Sequence, residues 1–91
     1  MNTDFRPSFI SSINKIKDTK LKKNIEQAIK SVEDARTIRD IPKLRKLEDD
    51  KKKPVYYRIR VGRYRIGVII ENNTVTFTTV RHRKDVYKFF P

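Results

Sequence analysis

The chain has 91 residues, 36% of them apolar, enough for one modest hydrophobic core and too few for two, so residues 1–91 are expected to form a single domain. Its 23 Lys and Arg against 11 Asp and Glu leave a net charge of +12, a surface that repels itself unless a polyanion or an acidic protein neutralises it. The lack of cysteine excludes a disulfide framework, a thiol nucleophile and a zinc–thiolate site, and a lone histidine argues against a metal site built from imidazoles, so neither metal nor cofactor is expected.

No apolar run approaches the roughly 20 residues that span a bilayer. Residues 1–5 do not lead into a signal-peptide core, so a cytoplasmic chain with no membrane partner is expected. The charge is uneven. Residues 1–50 hold 12 basic and 9 acidic groups, a difference of +3; residues 51–91 hold 11 basic groups against Glu71 and Asp85, a difference of +9. The electropositive surface therefore belongs to the C-terminal half.

In chain order, Pro7 suits a first helical turn, and Phe9, Ile10, Ile13 and Ile16 follow at helical spacing. After a polar break at residues 17–19, Leu21, Ile25, Ala28, Ile29 and Val32 continue such a stripe. Asp18 or Thr19 is available as N-cap, and the second helix is expected to end near Arg36. Pro42, Leu44 and Leu47 suggest a further helical turn, and residues 48–54 read as an exposed loop.

From Pro54 the period changes to two. Val55, Tyr57, Ile59 and Val61 alternate with Tyr56, Arg58 and Arg60; Gly62 and Arg63 make a tight turn, and Tyr64 begins the returning strand. Asn72 and Asn73 mark a second tight turn before the β-branched run of residues 74–80. The expectation is an α+β fold: an N-terminal antiparallel helix pair packed on a small, mainly antiparallel β-sheet with a three-stranded meander.

A two-residue turn at Gly62 and Arg63 sets Arg60 opposite Arg65, Ile59 opposite Ile66 and Arg58 opposite Gly67. Continued through the asparagines, the register pairs Ile70 with Val75 and Val68 with Phe77 on the core face, and puts Thr76, Thr78 and Val80 on the arginine face. A one-residue bulge would swap the side chains beyond it. Several of Arg81, His82, Arg83, Lys84 and Tyr87 are expected to reach the arginine face, and Phe89 or Phe90 to cap part of the core.

Arginines alternating with aliphatic residues are most simply the solvated side of a sheet. Like charges set directly opposite one another cost stability, however, and a cluster of them suggests an anion site. Guanidinium groups are suited to gripping phosphate and the charge that builds on its oxygens in a pentavalent transition state. Without metal ligands, the accessible phosphodiester chemistry is attack by the neighbouring 2′-hydroxyl of RNA, which needs a base, an acid for the leaving 5′-oxygen and charge stabilisation. His82 and Tyr87 are the candidate proton carriers, and Lys51, Lys52 and Lys53 are candidates for non-specific phosphate contact.

The string YYRIRVGRYRI at residues 56–66, followed by HRKDVY at 82–87 and preceded by KLRKL at 43–47, resembles the RelE/ParE superfamily of bacterial and archaeal toxins over nearly the whole chain. The resemblance implies the RelE-like fold of the barstar and microbial-RNase type and a toxin held inactive by an acidic antitoxin. It further implies cleavage of mRNA on the ribosome through the 2′-hydroxyl route. By position it implies catalytic roles for Arg58, Arg60 and Arg65, for Arg81 or Arg83 in the basic pair near the end, and for Tyr87, which stacks on a base or assists proton transfer, with a histidine such as His82 serving in some relatives; Arg81, Lys84 and the lysines at 51–53 are read from their charge as RNA contacts. The superfamily's opening strand is weakly represented, since only Met1 and Phe5 of the first five residues are apolar, so a short or missing first strand is expected. A gyrase-inhibiting, ParE-like branch and an inactive RNA-binding relative are the competing readings.

Overall fold

The computed structural model describes residues 1–47 and 55–85. Two helices pack on one face of a five-stranded sheet, as the α+β pattern requires. In chain order the elements are β1 (Asn2–Phe5), α1 (Pro7–Asn14), α2 (Thr19–Asp34), a single 3₁₀ turn (Ile38–Asp40), β2 (Leu44–Lys46), β3 (Val55–Val61), β4 (Tyr64–Glu71) and β5 (Thr74–His82). The spatial order of strands is β1-β5-β4-β3-β2. The expected loop at 48–54, with Lys51, Lys52 and Lys53, lies outside the described residues, as do Tyr87, Phe89 and Phe90.

Both helices begin where their sequences allow. Pro7 occupies the first turn of α1, where its missing N–H leaves no bond unmade. The Asp18 carboxylate caps α2 by accepting from the backbone N–H groups of Lys20 and Leu21 at 3.0 and 3.1 Å. That helix stops at Asp34, because Ala35 is extended and buried. The apolar stripes of the two helices meet the inner side of the sheet, where Phe9, Ile25 and Val32 join Ile66, Val68, Val75 and Phe77 in the core.

The turns of the meander follow from backbone freedom. Gly62 has φ +58°, the left-handed conformation that glycine reaches at no steric cost. Asn72 and Asn73, at φ 53° and 59°, form the asparagine hairpin turn that matches the twist of its strands. The resulting pairs are Arg60 with Arg65, Ile59 with Ile66 and Arg58 with Gly67, the expected register.

A short first strand, one of the two expected alternatives, is present: β1 runs parallel to β5, with Asn2 opposite Thr74 and Phe5 opposite Phe77. It is held by stacking of those two phenyl rings, with centroids 5.0 Å apart, rather than by an apolar pattern of its own. Two other features depart from the sequence expectation. Leu44, expected in a helical turn, instead starts β2, where it pairs with Ile59 and packs on the core. Lys43 turns the chain into that strand with φ 60°, and the helical turn falls earlier, where the Asp40 carboxylate accepts from the Thr37 amide. Finally, β5 contains a bulge. Val68 pairs with Phe77 but Gly67 pairs with Thr79, leaving Thr78 as the extra residue. Beyond the bulge, Val80 turns into the core instead of onto the arginine face.

Candidate nucleic-acid interface

The face of the sheet turned away from the helices carries the charge. Paired residues of neighbouring strands share a face, so the register sets Arg60, Arg65 and Arg81 side by side across β3, β4 and β5. A second row, one step along the strands, runs Arg45, Arg58, Gly67 and Thr79 across β2 to β5. Directly opposed residues in an antiparallel pair stand about 5 Å apart, so the guanidinium groups of the first row can converge on one phosphate. Gly67 contributes no side chain to the second row.

Local bonds orient part of this array. Arg65 Nη1 donates to the carbonyl oxygens of Gly62 and Tyr64, both at 2.9 Å, which folds one arm of its guanidinium over the β3–β4 turn. Arg81 Nε donates to Thr79 Oγ1 at 3.3 Å. The bulge beneath them is fixed from both sides: Thr78 Oγ1 donates to the Gly67 carbonyl at 2.8 Å, and Ser8 Oγ of α1 donates to the Thr78 carbonyl. At the other end of the face, Leu47, Ile69 and Tyr56 make a small apolar cluster separate from the main core.

The expected site residues divide. Arg58, Arg60, Arg65 and Arg81 come together on one face. Arg83 lies just past β5, its N–H donating to the Arg63 carbonyl at 2.8 Å, so the two arginines adjoin the end of the first row. Lys84 is exposed at the same end. His82 does not join the arginine face. The bulge shifts the alternation so that His82 pairs with Tyr64 on the helix side, with ring centroids 5.5 Å apart and planes at 76°. Its Nδ1 accepts the Lys84 N–H at 3.2 Å, and it lines a groove with Ser12, Lys15, Asp18 and Asp85 that Arg81 also borders. Arg45 was missed in the sequence because its segment read as helical. Leu44 and Leu47, three residues apart, fit helical spacing, and nothing in the segment marks it as a strand.

Among the described residues no three His, Cys, Asp or Glu side chains group as metal ligands, and no helix is long and apolar enough to cross a membrane. The arrangement is that of a surface able to bind a phosphodiester and neutralise charge developing on it.

The chain is similar to known toxins over its whole length. Residues 4–87 match the family described as the ParE toxin of the type II toxin-antitoxin system parDE. Toxin RelE3 of Methanocaldococcus jannaschii is 33% identical over the full length of both chains. The crystal structure of a RelB-RelE antitoxin-toxin complex from Methanococcus jannaschii superposes with a TM-score of 0.72 at 30% identity, covering 97% of this chain and 99% of that one. In the YoeB-YefM complex from Staphylococcus aureus the matching chain has a TM-score of 0.67 at 20% identity, covering 90% and 95%, a likeness of fold.

Proposed function

Because the chain belongs to the RelE/ParE superfamily of type II toxin–antitoxin toxins, we propose that it is an endoribonuclease of the RelE kind, which cuts mRNA on the ribosome and so stops translation. The observation that supports this reading is the row of Arg60, Arg65 and Arg81, with Arg58 beside it, on the sheet face opposite the main core.

In the proposed reaction a ribose 2′-oxygen attacks the adjacent phosphorus. The P–O2′ bond forms and the P–O5′ bond breaks, leaving a 2′,3′-cyclic phosphate and a 5′-hydroxyl end. Arg60, Arg65 and Arg81 hold the phosphate and stabilise the extra negative charge of the pentavalent species, through donors already in place before the reaction. Arg58, with Arg45 opposite it, binds the neighbouring phosphate. An arginine does not give up its proton, so the proton transfers fall to another group. The candidates are Tyr87, which by the resemblance stacks on a base or assists proton transfer and which lies outside the described residues, and His82. Arg83, Lys84 and the lysines at 51–53 extend the contact along the RNA backbone.

The partner under this reading is an acidic antitoxin. The relatives of known structure include RelE in complex with RelB and YoeB in complex with YefM. A chain of charge +12 should associate with such a partner quickly and with strong dependence on salt. Association rates that stay level between low and high salt would contradict the electrostatic part of this account.

The test is primer extension on a defined mRNA in a translating extract, with a ribosome-free control. New ends within codons at the ribosomal A site, only when ribosomes are present, are the expected result. The matched family carries the ParE name, which favours one second reading, inhibition of DNA gyrase. Intact mRNA together with loss of gyrase supercoiling would establish that reading in place of the first.

A further inference from the structure

Beside the arginine face the sheet has a gap. The short β2 covers β3 only from Tyr57 to Ile59. Past that point Arg60 still donates its N–H to the Lys43 carbonyl, but Val61 ends β3, and Gly62 begins the turn, without β2 alongside. Helix α2 runs over this gap and encloses a groove of about 340 Å³ with the strand edge, at the lower end of the range of about 300–1,000 Å³ typical of small-ligand sites.

The lining is of three kinds. Ala28, Ile59 and Val61 give an apolar floor. Asn24, Gln27 and Ser31, spaced by three and four residues along one stripe of α2, give a polar wall. Lys43 and Arg60 supply positive charge. Neither amide side chain is bonded to another described residue, so each retains a donor and an acceptor for a ligand. Lys43 holds its place in the left-handed region at φ 60°, a conformation uncommon for a residue other than glycine and frequent where a functional side chain must be kept.

We propose that this groove is a nucleobase subsite, which takes one unpaired base of the RNA strand whose phosphates lie on the arginine face. The inference rests on the endonuclease reading above and adds to it a place where sequence is read. A base has apolar faces and an edge of mixed donors and acceptors, and an unpaired base is read on that edge. The floor and the amide wall provide for each. A bare phosphate would need converging cations without amides, and an apolar partner helix would need a broader hydrophobic surface. Arg60 links the two regions, because it stands in the arginine row and also lines the groove. A strand crossing the sheet along that row leaves it at the β3 edge, beside the groove.

The test is an amide-resolved NMR titration of the full chain with AMP, GMP, CMP and UMP in turn, and with inorganic phosphate. The mononucleotides should shift Asn24, Gln27, Ser31 and Val61 with an affinity that depends on the base, while phosphate shifts only residues of the arginine row. The double variant Asn24→Ala with Gln27→Ala removes two side-chain hydrogen bonds at exposed positions, so it should keep its thermal midpoint and lose about tenfold in mononucleotide affinity. Identical shift patterns from phosphate and mononucleotides, or undiminished binding by the double variant, would overturn the subsite. Primer extension separates this from the reading beneath it. A wild-type chain that binds mononucleotides in the groove but cuts no mRNA would refute the endonuclease and keep the subsite. A double variant whose cuts keep the wild-type base preference would refute the subsite and keep the endonuclease.

Discussion

On the helix side of the meander, Ile59, Ile66, Val68, Val75 and Phe77 are at most 2% exposed, whereas Arg58, Arg60, Arg65 and Arg81 on the other side are partly or fully open to solvent. The same three strands carry both sets, in alternation, so the backbone that the core makes rigid also fixes the spacing of the arginines. Stability comes from one side and pays for crowded charge on the other. A substitution should therefore change either folding or RNA chemistry according to the parity of its position, and each variant below tests that separation.

The largest effect is expected from Phe77→Ala. This side chain is fully buried against Phe5 and Phe9, with ring centroids at 5.0 and 5.3 Å, and its removal leaves a cavity that the surrounding rings cannot close. A loss of about 3–5 kcal/mol in a urea unfolding experiment is expected. A loss under about 1 kcal/mol would mean that the aromatic trio is not the anchor of β1 and α1 on β5.

Arg60→Ala should do the opposite. Removing one donor from a preorganised charge-stabilising array costs about 10²–10³ in rate. Taking away one of two directly opposed arginines should leave the unfolding midpoint unchanged or raise it slightly. Ribosome-dependent cleavage and thermal melting of the same preparation check both halves. A variant that cuts like the wild type would remove Arg60 from the site, and one that melts early would show that the charged face also supports the fold.

How much of this division was readable beforehand depended on whether local residues or distant ones decided each feature. Gly62 and the asparagine pair mark their turns by their own backbone preferences, and two fixed turns suffice to set Arg60 against Arg65 and Val68 against Phe77. The bulge had no such marker. Thr78, Thr79 and Val80 are all β-branched, and what selects Thr78 as the extra residue is its carbonyl's bond from Ser8, seventy positions away, together with its own bond to Gly67. Of the two edge strands, β1 was legible only as short or missing and β2 not at all, for a similar reason. β1 is four residues with one stacked ring, and β2 is three residues, too short for either period to register.

A smaller effect tests the boundary between helix and sheet. Asp18 caps α2 at its first turn, near the groove that His82 lines. Asp18→Ala should cost about 1 kcal/mol of stability by the loss of the cap and leave cleavage intact. If cleavage fell as steeply as in Arg60→Ala, the helix side of the sheet would be part of the functional surface after all.

The smallest expected effect is the one that discriminates best. Had β5 been regular, His82 would share a face with Arg60 and Arg65 and stand ready to move a proton at the phosphate. The bulge at Thr78 puts it instead beside Tyr64, with Nδ1 accepting the Lys84 N–H. Gln in its place keeps a side-chain acceptor and loses the imidazole. His82→Gln should therefore change ribosome-dependent cleavage by no more than about twofold, the scale of a surface substitution away from any special feature. It should also leave the pH profile of cutting where it was. A profile that loses one limb in this variant would mean that the chain end carrying His82 swings across the sheet edge when RNA binds, and the proton carrier would then be His82 and not Tyr87.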